Sequence, residues 1–291
     1  MSTRGPAVSA AVFVIAGLAC QEAGAALAVV LFDRVGPLGM VMLRLVFSAV
    51  ILLLIARPRL RGHTAAAWRA VVGFGAVLAL MNSLFYLALE RLPLGVTVTI
   101  EVLGPLTLSI VAARRASAWL WAGLALAGVA ALGGGGWDRL DLLGVAFALG
   151  AAASWALYIL ASARVGAAVP RLDGLAWAMT VGALLALPLG VADAGSALLR
   201  PDLVALGAGV AVLSSTIPYT LELLALRRLP ASAFAILMSL APATAALAGW
   251  IFLAQGMSWL ETVGIALVIA ASVGAIRAAG RHAPDAAEPL G

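Results

Sequence analysis

Residues 81–110 read MNSLFYLALERLPLGVTVTIEVLGPLTLSI, two apolar runs around a Glu90-Arg91-Leu92-Pro93 corner, with Glu101 and Gly104-Pro105 in the second run. Residues 219–247, YTLELLALRRLPASAFAILMSLAPATAAL, carry the same design. Ala225-Leu226-Arg227-Arg228-Leu229-Pro230 repeats Ala88-Leu89-Glu90-Arg91-Leu92-Pro93, and Ala241-Pro242 repeats Gly104-Pro105, at one offset (230 − 93 = 242 − 105 = 137). A shared offset across a corner and a proline-broken helix points to one membrane unit used twice.

Composition says what kind of unit. The chain of 291 residues is 64% hydrophobic and 11% charged, with mean hydropathy +1.11. Soluble domains carry roughly a quarter charged residues, so this chain cannot cover a water-facing surface and reads as an all-α integral membrane protein. Its net charge of +5 therefore reports orientation and is no nucleic-acid footprint. All 18 basic residues are Arg, which removes any P-loop or Schiff-base lysine. One cysteine, Cys20, excludes an internal disulfide, and His63 and His282 fall in a polar loop and tail, so neither a metal nor a cofactor is expected. Arg4 and Gly17-Leu18-Ala19-Cys20 faintly suggest a secretion signal, but the apolar run continues to Phe32, longer than a signal core of about 7–15 residues. We expect an uncleaved first span.

A bilayer-crossing helix needs about 20 apolar residues. Cutting at charges and Pro/Gly punctuation predicts ten, over 8–31, 37–56, 67–89, 94–113, 117–133, 141–163, 174–191, 203–225, 231–254 and 259–279. The fifth is the shortest and ends in Gly133-Gly134-Gly135-Gly136; the polar tail 281–291 is expected to be disordered. With a cytoplasmic N-terminus, the inner side holds Arg4, Arg57, Arg59, Arg61, Arg69, Arg114, Arg115, Arg164, Arg171, Arg227, Arg228, Arg277 and Arg281. The outer side holds only Arg34, Arg91, Arg139 and Arg200. Arginine excess marks the cytoplasmic face, so both termini are expected there. Five spans per half is odd, so residues 137–280 would insert upside down relative to 1–136. Inverted repeats place a transport site near the midplane, at Gly/Pro-interrupted helices in matching positions. Here these are the fourth span, with Gly104 and Pro105, and the ninth, with Pro242; Pro218 interrupts the eighth.

Charges inside spans are costly and informative. Glu22, Arg44 and Glu101 each lie roughly 10–15 Å below the outer end, so Arg44 is expected to bridge the two carboxylates, as gate or as helix glue. Glu222, near Arg227 and Arg228, reads as an interface-paired carboxylate, with inner gating as the alternative. Neutral polar groups concentrate at Asn82 and Tyr86, at Ser154, Trp155 and Tyr158, and at Met238-Ser239, where Met238 is the repeat mate of Glu101. Tyr86 also suits a membrane-interface belt, whereas Trp155 and Tyr158 lie too deep for one.

These stretches resemble the drug/metabolite transporter superfamily, in its ten-span class with two EamA-type repeats. Within it they are similar to bacterial inner-membrane amino-acid exporters, above all those of threonine/homoserine type. The residues that carry the likeness are LRL at 43–45, 81–106, ALGAAASWALYIL at 148–160, STIPYTLELLALRRLP at 215–230 and FAILMSLAP at 234–242. Arg44, Asn82, Glu101, Trp155, Tyr158, Glu222 and Met238-Ser239 match that pattern. Glu22 and Ala241 depart from it, standing where the pattern has Gly and Glu. The resemblance implies export of an amino acid, threonine/homoserine-like or aromatic. Asn82, Tyr86, Ser154, Trp155, Tyr158, Met238 and Ser239 are the candidate substrate contacts, and Glu22, Arg44, Glu101 and Glu222 the gating or coupling groups. Membrane lipids and protons are the other expected partners, with Glu101 or Glu22 carrying the proton if export is proton-coupled. Efflux of cationic, lipophilic drugs is an alternative; an intramembrane enzyme using Asp138 and Asp141 is a remote one.

Overall fold

Long runs of Ala, Leu, Val and Gly without water-facing charge leave the backbone one economical way to satisfy its own polar groups, the helix. In a computed structural model, which describes residues 4–59, 62–113, 116–132, 141–169, 171–226, 228–229 and 231–280, every element among the described residues is helical. In order they are α1 (Arg4–Val35), α2 (Pro37–Ala56), α3 (Ala65–Leu89), α4 (Leu94–Glu101), α5 (Leu103–Ala113), α6 (Ala116–Leu132), α7 (Leu142–Ala168) and α8 (Arg171–Ala194). A 3-10 turn (Gly195–Leu199) leads to α9 (Pro201–Ala211), a π-helical segment (Val212–Thr216), α10 (Ile217–Leu226), α11 (Ala231–Met238), α12 (Ala241–Leu253) and α13 (Trp259–Gly280). Taken as continuous rods, nine of these among the described residues are long and apolar enough to cross a membrane. The predicted fifth span corresponds to α6, whose apolar part, Trp119–Leu132, is shorter than the other nine. The glycine run after it and the tail 281–291 lie outside the described residues.

The predicted interruptions are placed by missing N–H groups. Pro105 cannot donate to the Glu101 carbonyl, and α4 ends at Glu101, with Val102 as the joint to α5. Pro242 cannot donate to the Met238 carbonyl, and α11 ends at Met238, with Ser239 and Leu240 as the joint to α12. The starts and ends of α4 and α11 are therefore separated by the same 137 residues as the corner motifs (231 − 94 = 238 − 101).

Packing has a matching regularity. α2 lies along α8, α6 along α13, and α4 along α12. α3 packs on α7 as α1 packs on α10; α3 meets α8 as α2 meets α9; α4 and α5 meet α7 as α12 meets α1. Each pairing turns into another, or into itself, when every rod is advanced by five. Glycine permits the closest approaches. A Cβ on Gly104 would run into the Ala152 carbonyl of α7, and a Cβ on Gly128 or Gly264 would fall 2.8 or 2.6 Å from the other's carbonyl oxygen, so α6 and α13 cross backbone on backbone.

Candidate functional site

The rods enclose a cavity of about 250 Å³ at the level of the α4–α5 and α11–α12 joints. Glu22 of α1, Arg44 of α2, Glu101 of α4 and Glu222 of α10 all border it. Asn82, Trp155, Tyr158 and Met238 border it as well. Glu22 is only 2% exposed, and its Oε2 has no hydrogen-bond partner among the described residues. Glu22 and Glu101 both lie within electrostatic reach of Arg44.

Arg44 is held by a device that the expected three-charge bridge does not contain. Pro218, lacking an N–H, cannot bond the carbonyl of Ser214 four residues earlier, and the backbone there widens into the π segment Val212–Thr216. The Arg44 Nη2 group donates to that Ser214 carbonyl at 3.3 Å, and Nε donates to Ser215 Oγ at 3.5 Å. Nη1 donates to the Tyr86 hydroxyl at 3.3 Å, while the guanidinium lies 5.7 Å from the Tyr86 ring centroid. The proline break of the eighth span is thus patched by a side chain from the second.

This geometry sorts the expected contacts. Tyr86 is fully buried against Phe32 and Phe85 and steadies Arg44; it does not border the cavity. Ser154 and Ser239 also lie away from the cavity wall. Each returns its hydroxyl to its own helix, Ser154 to the Gly150 carbonyl at 2.8 Å and Ser239 to that of Ala235 at 3.0 Å. Asn82 donates to the Leu78 carbonyl at 2.8 Å and still reaches the cavity. Glu222 borders the cavity, and no pairing with Arg228 is seen. Arg228 instead donates to Ser9 Oγ at 3.2 Å and covers the Phe13 ring; the Arg227 side chain lies outside the described residues. Five wall residues were not singled out from the sequence: Gln21, Ala25, Met81, Phe85 and Val98. Gln21 carried a signal, as a second polar group beside Glu22 in an apolar run; Met81 and Phe85 carried none.

Away from the cavity, the end of the bundle that holds the connections at 36, 90–93, 141, 195–200 and 254–258 is closed by three polar clasps. Asp193 Oδ2 accepts from the Leu38 and Gly39 amides at 2.8 and 3.1 Å, capping α2 where Gly36 turns the chain at φ 74°. Gln255 Oε1 accepts from the Leu94 amide at 3.0 Å, capping α4. Arg91 and Asp141 form an ion pair at 2.9 Å. The Gly144 amide, and then Arg91, hold the Asp141 carboxyl below its ordinary range. Asp141 is therefore a helix cap, and Asp138, its supposed catalytic partner, lies outside the described residues.

Comparison with known proteins adds the following. Residues 142–277 match the model of the EamA-like transporter family. The chain is 38% identical over 265 residues to the threonine/homoserine exporter RhtA of Escherichia coli (strain K12), covering 90% of each chain. It is 38% identical over 255 residues to the threonine/homoserine exporter RhtA of Salmonella typhimurium (strain LT2), covering 87% of this chain and 86% of that one. A crystal structure at 20% identity superposes with a TM-score of 0.53 over 92% of this chain and 97% of its own, a likeness of fold.

Proposed function

We propose an amino-acid exporter, on the premise that the chain belongs to the EamA-like transporter family. Its substrates are amino acids of threonine/homoserine kind and related small metabolites, moved out across a bacterial inner membrane. One observation carries this reading beyond kinship. A single cavity is lined by a guanidinium, Arg44, by two carboxylates, Glu22 and Glu101, and by the large, adaptable side chains of Trp155 and Met238. A zwitterion taken out of water needs a counter-charge for each of its ends, because an unpaired buried charge is costly. The substrate carboxylate docks on Arg44. Its ammonium meets Glu22 Oε2, which is buried without a hydrogen-bond partner among the described residues, and Glu101. Asn82 and Tyr158 border the polar head, and the side chain lies against Trp155 and the polarizable Met238. At about 250 Å³ the cavity is just below the usual 300–1,000 Å³ of small-molecule pockets, which suits a small amino acid.

Movement follows alternating access. We take the ten apolar rods as ten spans in two inverted repeats, 1–136 and 137–280, with both termini cytoplasmic. The coincident ends of α4 and α11, the packing that maps onto itself after five rods, and the arginine excess on one side support this. The clasped end then faces outward, and Glu222 lies on the cytoplasmic side of the cavity. Protein reconstituted in liposomes, loaded with labelled threonine and then with labelled phenylalanine, tests the proposal. Release of the label is expected; if neither amino acid moves, with or without an imposed pH gradient, the proposal fails. The cavity also has three carboxylates to one arginine, which favours cationic drug efflux as a second reading. Resistance of overproducing cells to lipophilic cations, without threonine export, would select it.

A further inference from the structure

We infer that the lateral groove between α3 and α7 is a binding site for one anionic phospholipid. The groove, about 270 Å³, is separate from the transport cavity and is lined by Arg69, Gly73, Val77, Leu157, Leu160 and Arg164, among others. Arg69 and Arg164 stand at its mouth, both exposed and neither in a hydrogen bond or ion pair with any described residue. Beyond them the walls are apolar. Val77 follows Arg69 by eight residues and Leu157 precedes Arg164 by seven, so the trough descends about 10–12 Å along both helices. Gly73 keeps it open, since a Cβ there would meet nothing within 4 Å. Trp68 and Trp177, with ring centroids 5.6 Å apart, pack beside the mouth, at the depth where tryptophan favours a membrane interface.

A pair of guanidiniums without a counter-charge among the described residues, at headgroup level, calls for a phosphate, and an apolar trough running down from them calls for an acyl chain. A free anion would use the first and leave the second unfilled; a zwitterionic lipid would bring its own cation to the arginines. Basic pockets between spans at the cytoplasmic surface are of the kind that selects anionic headgroups. The site also adjoins the transport path. Phe74, in the groove wall, stacks on Tyr158 with centroids 5.2 Å apart, and Tyr158 borders the central cavity. A bound chain would press on that ring pair. None of this depends on which substrate the cavity carries.

The test uses the full-length protein in detergent, with dioleoylphosphatidylglycerol and dioleoylphosphatidylcholine titrated in parallel and bound lipid counted by native mass spectrometry. The wild type should retain one phosphatidylglycerol, with about a tenfold preference over phosphatidylcholine. R69A/R164A should lose that preference and R69K/R164K should keep most of it. Gly73→Leu, which fills the trough and leaves both arginines, should lose it too. R57A/R59A, a control that removes two other basic residues, should change little. Glycerophosphate, a headgroup without chains, should not compete. The inference is overturned if R69A/R164A keeps the preference, if R57A/R59A loses as much, or if glycerophosphate displaces the lipid.

Discussion

The two proline-broken rods, α4–α5 and α11–α12, share a backbone and differ in chemistry. Each opens with an eight-residue helix that ends four residues before a proline. Yet the last residue of the first is Glu101 and the last residue of the second is Met238, and both border the cavity. The contrast extends outward. Residues 1–136 supply Glu22, Arg44 and Glu101; residues 137–280 supply Trp155, Tyr158 and Met238, with Glu222 as their one charge on the wall. The joints thus recur in both rods, while three of the four charged groups on the wall come from residues 1–136, which also supply the apolar Met81 and Phe85. In the proposed transport cycle the first half holds the substrate's charged head and the second its side chain.

The hardest blow to that division is Arg44→Ala. It removes the only cation on the cavity wall among the described residues and also leaves the Ser214 carbonyl without its guanidinium donor. A buried group stripped of its partner costs about 1–3 kcal/mol before any loss of substrate contact. We expect kcat/KM for labelled threonine to fall at least about 100-fold, and Arg44→Lys to recover only part of it, because an ammonium cannot reach all three acceptors. A fall of less than fivefold would remove Arg44 from the substrate site.

Next comes a transplant between the joints. Glu101→Gln should lower threonine transport by about tenfold and reduce any response to an imposed pH gradient, and adding Met238→Glu should not restore either. Rescue by the double variant would show that the halves are interchangeable and that our division is wrong. Trp155→Ala should act differently again, raising KM several-fold and changing the ranking of threonine against phenylalanine while leaving the gradient response intact. An unchanged ranking would detach the second half from side-chain selection. The smallest effect is expected from Ser154→Ala and Ser239→Ala, whose hydroxyls are turned back on their own helices; transport within about twofold of wild type is the predicted outcome. A larger loss would place them in the site despite that geometry.

Much of the framework was legible beforehand because its causes are local. The predicted span at 37–56 is α2 residue for residue, since Gly36-Pro37 starts that helix and Arg57 ends it. Pro105 and Pro242 announced their joints because a missing N–H acts four residues upstream wherever it occurs. Other features needed the third dimension. Pro218 was visible as a break, but nothing in the sequence says that the released carbonyl would be met by Arg44, 170 residues away. Ser154 and Ser239 were ambiguous for a sharper reason: a serine that lines a cavity and one that bonds its own helix can occupy the same register. For Glu222 the nearest charges in sequence, Arg227 and Arg228, suggested a pair, but a charge close in sequence need not be a partner in space: Arg228 turns to α1.

The three clasps at the closed end have a consequence for how the protein rests. One is an ion pair whose side chains are 36% and 37% exposed, and another uses the exposed carboxylate of Asp193. Exposed contacts of this kind are individually feeble and are screened by dissolved ions. In the proposed alternating-access cycle, a barrier sealed this way is biased shut and opens thermally, without a cargo to trigger it. In the proposed orientation that end faces outward, so a saltier medium would tilt the bias toward opening, and the exporter's idle position would become a gauge of the fluid it discharges into.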